Sequence, residues 1–218
     1  GATGSDIILD SSGNAFATNV TMRAGNGSNA AFGNITFVDS GAVEFVSSAS
    51  TDDGDLYIKS SGAVGGDLSI TATTGNITQG VAVAVTGTTT LKATTSNNIT
   101  LDNTSNNFQG AVKITTGNDV TLVDANAIEL GVSAVSGTYA VTATSGNITD
   151  SGNLTITGAA TFIAGATGSH IILDSSGNAF AAAVTMKADT AGDETFGNIT
   201  FVDSAAVKLH SSAGTNGD

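Results

Sequence analysis

Residues 165–218 realign on residues 1–54 at a constant shift of 164 without a gap, and 35 of those 54 positions are identical. Ile7-Ile8-Leu9-Asp10-Ser11-Ser12-Gly13-Asn14-Ala15-Phe16 returns as Ile171 to Phe180, and Phe32-Gly33-Asn34-Ile35-Thr36-Phe37-Val38-Asp39-Ser40 returns as Phe196 to Ser204. A chain that repeats itself so closely is built from stacked units, each too small to bury its own apolar face.

Weaker copies lie between. Ile99-Thr100-Leu101-Asp102, Phe108 and Val112 match Ile7–Asp10, Phe16 and Val20 at a shift of 92. Thr121–Asp124 and Ala127–Leu130 match Thr36–Asp39 and Ala42–Phe45 at a shift of 85. The seven-residue difference falls around Ala24–Ala31, which returns as Ala188–Thr195, and an insertion that leaves both flanks in register belongs in a loop. Thr71–Thr78 also resembles Thr142–Thr149, and Val85-Thr86-Gly87 with Leu91 resembles Ile156-Thr157-Gly158 with Phe162. A short period then emerges: Ile77 leads to Ile99 at a shift of 22, Ile99 to Val120 at a shift of 21, and Ile148 to Ile171 at a shift of 23.

Inside each unit, large apolar and small polar residues alternate, as in Asn34–Asp39, Leu68–Thr71, Val112–Thr115 and Leu154–Thr157. Period two sends Ile, Leu and Val to one face of a strand and Thr, Ser and Lys to the other. The runs end in Gly-Asn, Ser-Gly or Asp-Ser, which favour tight turns. A sandwich needs no recurrence of like residues every 21–23 positions, whereas a coil does, because each strand then stacks on its equivalent one turn later. We therefore expect an all-β parallel β-helix (β-solenoid) with three short strands and three turns per rung. About ten rungs at about 4.8 Å each give a rod on the order of 50 Å long. Residues 1–218 are expected to form one solenoid segment, with 1–164 the first copy of the long repeat and 165–218 the start of a second, and to be a fragment of a longer array.

Composition excludes several alternatives. There is no Pro to interrupt backbone pairing and no Cys for a disulfide scaffold or thiolate zinc site. Six Lys and Arg in a chain of net charge −13 cannot neutralise a phosphate backbone, so no nucleic-acid partner is expected. No apolar run reaches the roughly 18 residues of a membrane span, so no membrane insertion is expected. Apolar residues at 40% and charged residues at 11% oppose disorder.

The phrases Gly75-Asn76-Ile77-Thr78, Val85–Leu91, Asn98-Ile99-Thr100-Leu101-Asp102 and Asn118–Leu122 resemble the β-strand repeats of large bacterial surface exoproteins. These are adhesins of the filamentous-haemagglutinin, two-partner-secretion type. The resemblance implies a right-handed coil, export to the bacterial cell surface or extracellular space, and a non-enzymatic role as a stalk or adhesive fibre. The partners so implied are neighbouring repeats of the same chain, other chains through self-association into fibres, and a host or cell-surface glycan or protein receptor.

No catalytic, cofactor-binding or metal site is assigned, and no cofactor is expected. Asp10, Asp102 and Asp174 follow a strand and read as turn caps rather than a carboxylate pair for sugar hydrolysis; Asp39, Asp124 and Asp203 read likewise as turn residues. Arg23, the chain's one arginine, corresponds to Lys187 in the later copy. His170 stands where the first copy has Asp6 and His210 where it has Val46, so both read as surface positions. Thr51-Asp52-Asp53-Gly54-Asp55 gathers hard oxygen ligands but lacks a calcium-loop pattern and is diluted to Thr215-Asn216-Gly217-Asp218 in the second copy. Phe16, Phe108 and Phe180 are expected to fill wider corners of the core. Asn14, Asn106 and Asn178, two residues earlier, are expected in turns or side-chain ladders. Two alternatives remain at this level: a glycan-binding module using polar Asn/Thr ladders on a flat face, and a polysaccharide-processing β-helix enzyme. Irregular Thr rows argue against ice binding. The Asn-x-Ser/Thr triplets at Asn19, Asn34, Asn76, Asn98, Asn147, Asn153 and Asn198 read as turn-plus-strand grammar that could also accept glycans.

Overall fold

The computed structural model describes residues 5–17, 20–22, 24, 33–46, 64–188 and 197–207, together with the main chain of 55–58. Among them every regular element is a strand, and every strand pairing is parallel. The chain is a β-solenoid in which two sheets of eleven and nine strands face each other, with a further two-stranded sheet beside them. We call the larger one sheet 1 and the smaller sheet 2.

In sheet 2, Ile77, Ile99, Val120, Tyr139, Ala160 and Val184 lie one above another, and their numbers give five successive turns with shifts of 22, 21, 19, 21 and 24. The period read from the sequence is thus the rung, with a wider scatter than expected. The early part is looser. Ile7 pairs with Ile35 and Ile35 with Leu68, shifts of 28 and 33, and strand Asp55–Ile58 is inserted between Val20–Met22 and Val43–Phe45. Among the described residues the main path through sheet 1 holds nine strands, against about ten rungs expected. Ile171 again pairs with Ile199 at a shift of 28, matching the first copy and accommodating the extra residues that begin at Ala24 and Ala188. Residues 25–31 and 189–195 of those segments lie outside the described residues.

Among the described residues four turns carry three short strands, as in Ile99–Leu101, Asn107–Phe108 and Val112–Gly117, or Ile148–Asp150, Leu154–Ile156 and Ala160–Ala164; others carry two, fewer than the three per rung expected. In the turn through Val120–Asp124 one eight-residue strand, Ile128–Val135, pairs with both Ile148–Asp150 and Leu154–Ile156. This long strand marks a change of phase. In the turns just before it the short strand follows sheet 2, and after it the short strand follows sheet 1. Segments that align at shifts of 71, 85 and 92 consequently lie on opposite sheets: Ile7–Leu9 is in sheet 1 and Ile99–Leu101 in sheet 2, while Leu68–Ala72 is in sheet 1 and Tyr139–Ala143 in sheet 2. Of these longer shifts, 164 keeps the described strands on their own sheets, Ile7–Leu9 with Ile171–Leu173, Val20–Met22 with Val184–Ala188 and Ile35–Asp39 with Ile199–Phe201. Both sheets present the same alternation to one core, so either can host the same phrase.

The core follows from that alternation. Strands Ile35–Asp39, Leu68–Ala72, Val120–Asp124, Tyr139–Ala143 and Ala160–Ala164 each bury their first, third and fifth residues and leave the second and fourth half-exposed. Stacking then places like on like, as in Ile128–Ile148–Ile171–Ile199. Each fully buried aliphatic contributes about 1.5–3 kcal/mol of transfer free energy, and each touches mainly the rungs next to it, so stability accumulates along one axis. Phe108 and Phe180 are buried at short-strand corners as expected, and Phe16 is half-buried and stacks on Phe37. Phe180 continues an aromatic run from Tyr139 through Phe162 to Phe201, with centroid separations of 5.9, 6.1 and 5.2 Å.

Candidate functional site

The residue just before a strand does a job that the sequence reading missed. Its side chain accepts a hydrogen bond from the main-chain N–H of the equivalent residue one rung on. Asn34 N donates to Asp6 Oδ1 (2.7 Å), Asp67 N to Asn34 Oδ1 (2.8 Å) and Thr88 N to Asp67 Oδ1 (2.7 Å). A second column runs from Asn76 through Asn98 and Asp119 to Thr138, and a third from Asn147 through His170 to Asn198. Strand-edge N–H groups that main-chain pairing leaves over are satisfied in this way. The first two columns end at Thr88 and Thr138; the next rungs have Ala111 and Ala159 before the strand, which offer no acceptor. Beside the first, Gly66, Gly87 and Gly110 stack directly. A Cβ on Gly110 would sit 2.4 Å from Gly87 O, and one on Gly87 would sit 2.7 Å from Gly66 O.

His170 belongs to these columns. Its Nδ1 accepts from Asn198 N at 2.8 Å, where Asp6 Oδ1 accepts from Asn34 N in the first copy. The replacement preserves an acceptor, which requires the imidazole to be neutral with its proton on Nε2. His170 is half-buried rather than a free surface group. His210 and Arg23 lie outside the described residues, as do 51–54 and 215–218 of the acidic turns.

Among the described residues Asn106 makes the most side-chain hydrogen bonds. Asn106 is fully buried. Its Oδ1 accepts from Val83 N and Gln79 Nε2, both at 2.8 Å, and its Nδ2 donates to Leu101 O, Val123 O and Gln79 Oε1. Asn178 is its equivalent: Oδ1 accepts from Leu154 N at 2.8 Å and Nδ2 donates to Asp150 Oδ2 at 2.7 Å. Asn14 is only half-buried and donates to Leu9 O. The three asparagines close turns rather than stack in a ladder of like side chains, each donating its main-chain N–H three residues back, to Ser11, Asn103 and Ser175 O, while Gln79 and Asp150 clamp the turn of the following rung from below.

Asp124 and Asp203 close the same corners from above. Asp124 Oδ2 accepts from Phe108 N and Oδ1 from Asn126 N, and Asp203 Oδ1 accepts from Phe180 N and Ala205 N. Burial pushes the Asp124 carboxyl above the ordinary carboxylate range, against the two N–H donors that lower it. Asp39 binds Gly41 N, but its second oxygen is buried without a partner. Asp10, Asp102 and Asp174 are exposed where the chain leaves a strand. Tyr139 is fully buried beside Ser133; its hydroxyl has no hydrogen bond of normal geometry, and burial raises its pKa. The sequon asparagines Asn34, Asn76, Asn98 and Asn147 all serve as rung-to-rung acceptors, and Asn19 lies outside the described residues.

One outward surface is a row of polar side chains. Thr36, Ser69, Thr90 and Lys113 form a register column on sheet 1. They and Asp67 line a shallow depression of about 300 Å³. The comparable column on sheet 2, Thr100–Thr121–Ala140–Thr161–Thr185, is interrupted by alanine.

No curated protein and no solved structure matches the chain. A family described as repeats of unknown function (DUF5649) matches residues 46–115 and 117–187. The two matched stretches begin at positions 46 and 117, a shift of 71, which is the shift that relates Thr71–Thr78 to Thr142–Thr149. Their junction lies in strand Val112–Gly117, which pairs with the long strand at the change of phase. With about two thirds of its length covered by two tandem matches, the chain belongs to this family of repeats.

Proposed function

We propose that the chain is a non-enzymatic structural segment: a rod-like portion of a large bacterial surface or extracellular-fibre protein, whose role is reach and presentation. The observation that carries this reading is where the polar side chains are spent. Asn, Asp, Gln and His side chains at the turns are consumed in holding one rung to the next, through the three acceptor columns and the Asn106 and Asn178 corners. Such bonding favours an inert, regular rod. The tandem repeats and the resemblance to filamentous-haemagglutinin-type adhesins support the same reading. Antibodies raised against the chain and applied to intact cells that make the parent protein provide the test. Surface labelling that protease treatment removes is expected; labelling only after lysis would refute the surface assignment.

The Thr36–Ser69–Thr90–Lys113 column favours a second reading, a glycan-binding face. Hydroxyls repeating at the rung spacing, flanked by Lys113 and Asp67, match the alternating donors and acceptors of an extended saccharide. A glycan array probed with the chain and with Thr90→Val separates the two. Binding lost in the variant supports the glycan face, and no binding supports the stalk alone.

A further inference from the structure

The 164-residue repeat places one segment twice in the molecule under different conditions. Asn34-Ile35-Thr36-Phe37-Val38-Asp39-Ser40 and Asn198-Ile199-Thr200-Phe201-Val202-Asp203-Ser204 are identical. The first is covered by strand Leu68–Ala72, in register Ile35–Leu68 to Asp39–Ala72. Among the described residues the second pairs on one side, with Ile171–Leu173. Burial follows the covering and not the sequence: Ile35 is 2% exposed and Ile199 47%, and Val43 is 0% exposed while its equivalent Val207 is 48%. An apolar cavity of about 570 Å³ opens here, lined by Phe180, Val184, Met186, Ile199, Phe201 and Val207.

The covered copy shows what the open one lacks. Asp67 donates its N–H to Asn34 Oδ1 at 2.8 Å and accepts from Ile35 N at 2.9 Å, so one residue engages both the side chain before the strand and the first strand amide. Thr73 N donates to Asp39 O, and the Thr73 and Thr74 hydroxyls both donate to Ser40 O. The open copy carries the same groups: the Asn198 carboxamide, the Ile199 N–H, and the Asp203 and Ser204 carbonyls.

We infer that Asn198–Ser204 is a strand-acceptor site for a segment with the sequence of Asp67–Thr74, supplied by a following copy of the repeat. The interaction is strand addition: main-chain bonds give affinity, and the alternate side chains Leu68 and Ile70 enter the pocket over Ile199 and Phe201. The inference rests on rung stacking and is independent of the stalk reading, so either can fail without the other.

Position 218 corresponds to position 54, so appending residues 55–74 after Asp218 continues the copy in order. Amide exchange at Ile199 is compared in the 218-residue chain, in the extended chain, and in an extended chain whose appended Leu68 and Ile70 equivalents are Asp. Exchange at Ile199 is expected to slow by about tenfold or more in the extended chain and to return to its starting rate in the Asp variant. Equal rates in all three chains would overturn the inference. So would protection retained in the Asp variant, or protection of the unextended chain that rises with its concentration, since a second copy would then be the occupant. Synthetic peptide 66–74 added to the unextended chain is expected to protect Ile199, and a shuffled peptide of the same composition is not; equal protection by both would also count against the site.

Discussion

The corners at Asn106 and Asn14 are built from the same phrase yet differ in tightness. Asn106 is clamped by Gln79 below and closed by Asp124 above, and every polar atom of its side chain is bonded. Asn14 has Leu9 O as its side-chain partner, and Asp39, the counterpart of Asp124, keeps one buried oxygen unpaired. The central rungs advance by shifts of 18 to 24, whereas the first rungs advance by 28 and 33. In a stacked array a residue's environment is set by the rungs on either side, and identical words become core or surface accordingly.

Removing the clamp should expose the difference most strongly. Asn106→Ala leaves Val83 N, Leu101 O and Val123 O without a side-chain partner in a buried corner and is expected to cost about 3 kcal/mol or more. Asn14→Ala should cost under about 1 kcal/mol. Urea titrations of the two variants measure this, and equal losses would break the comparison.

The glycine stack should respond nearly as sharply. Gly110→Ala forces a Cβ against the carbonyl of Gly87, and overpacking of this kind typically costs about 1–3 kcal/mol. Gly13→Ala, whose Cβ would meet nothing closer than the Ser11 hydroxyl at 4.0 Å, should change the unfolding midpoint little.

Asp124 sharpens the comparison through pH. Its folded pKa is raised, so the folded state holds the proton more firmly than the unfolded chain. The group's contribution to stability therefore falls as pH rises through the carboxylate range and recovers on acidification. Asp124→Asn removes the titration but keeps one acceptor oxygen for the two N–H donors, Phe108 and Asn126. It should lose about 1 kcal/mol at neutral pH through the one lost hydrogen bond and show a flatter stability–pH profile. Asp124→Ala, with no acceptor, should lose about 2 kcal/mol at the same pH.

The smallest expected effect is a gain. Tyr139→Phe deletes a buried hydroxyl without a partner while keeping the ring against Phe162, and should raise stability by up to about 1 kcal/mol in thermal or urea unfolding.

Much of this architecture is readable in the chain. The alternation of Ile35–Asp39 and Leu68–Ala72 gives inward and outward faces directly, and the recurrence of Ile77, Ile99 and Val120 gives the rung. The change of sheet at Ile128–Val135 is not readable, because both sheets ask for the same inward aliphatics and a repeat aligned at a shift of 71 or 92 says nothing about which sheet it joins. The acceptor columns are visible only as Asn-Ile and Asp-Ile turn phrases; their role depends on the N–H one rung away. His170 looks dispensable in the sequence because Asp6 and His differ in charge, yet what the position requires is an acceptor atom, and both residues carry one.

The account depends on neighbouring segments running parallel in constant register, and a chain without cysteine allows this to be tested by cross-linking. Thr121 pairs with Ala140 and Val123 with Thr142, both at a shift of 19. Two double-cysteine variants, Thr121→Cys with Ala140→Cys and Val123→Cys with Thr142→Cys, should each form an intramolecular disulfide under mild oxidation. If the segments instead formed a hairpin, Val123→Cys would cross-link with Thr138→Cys and not with Thr142→Cys, and that result would contradict the coil.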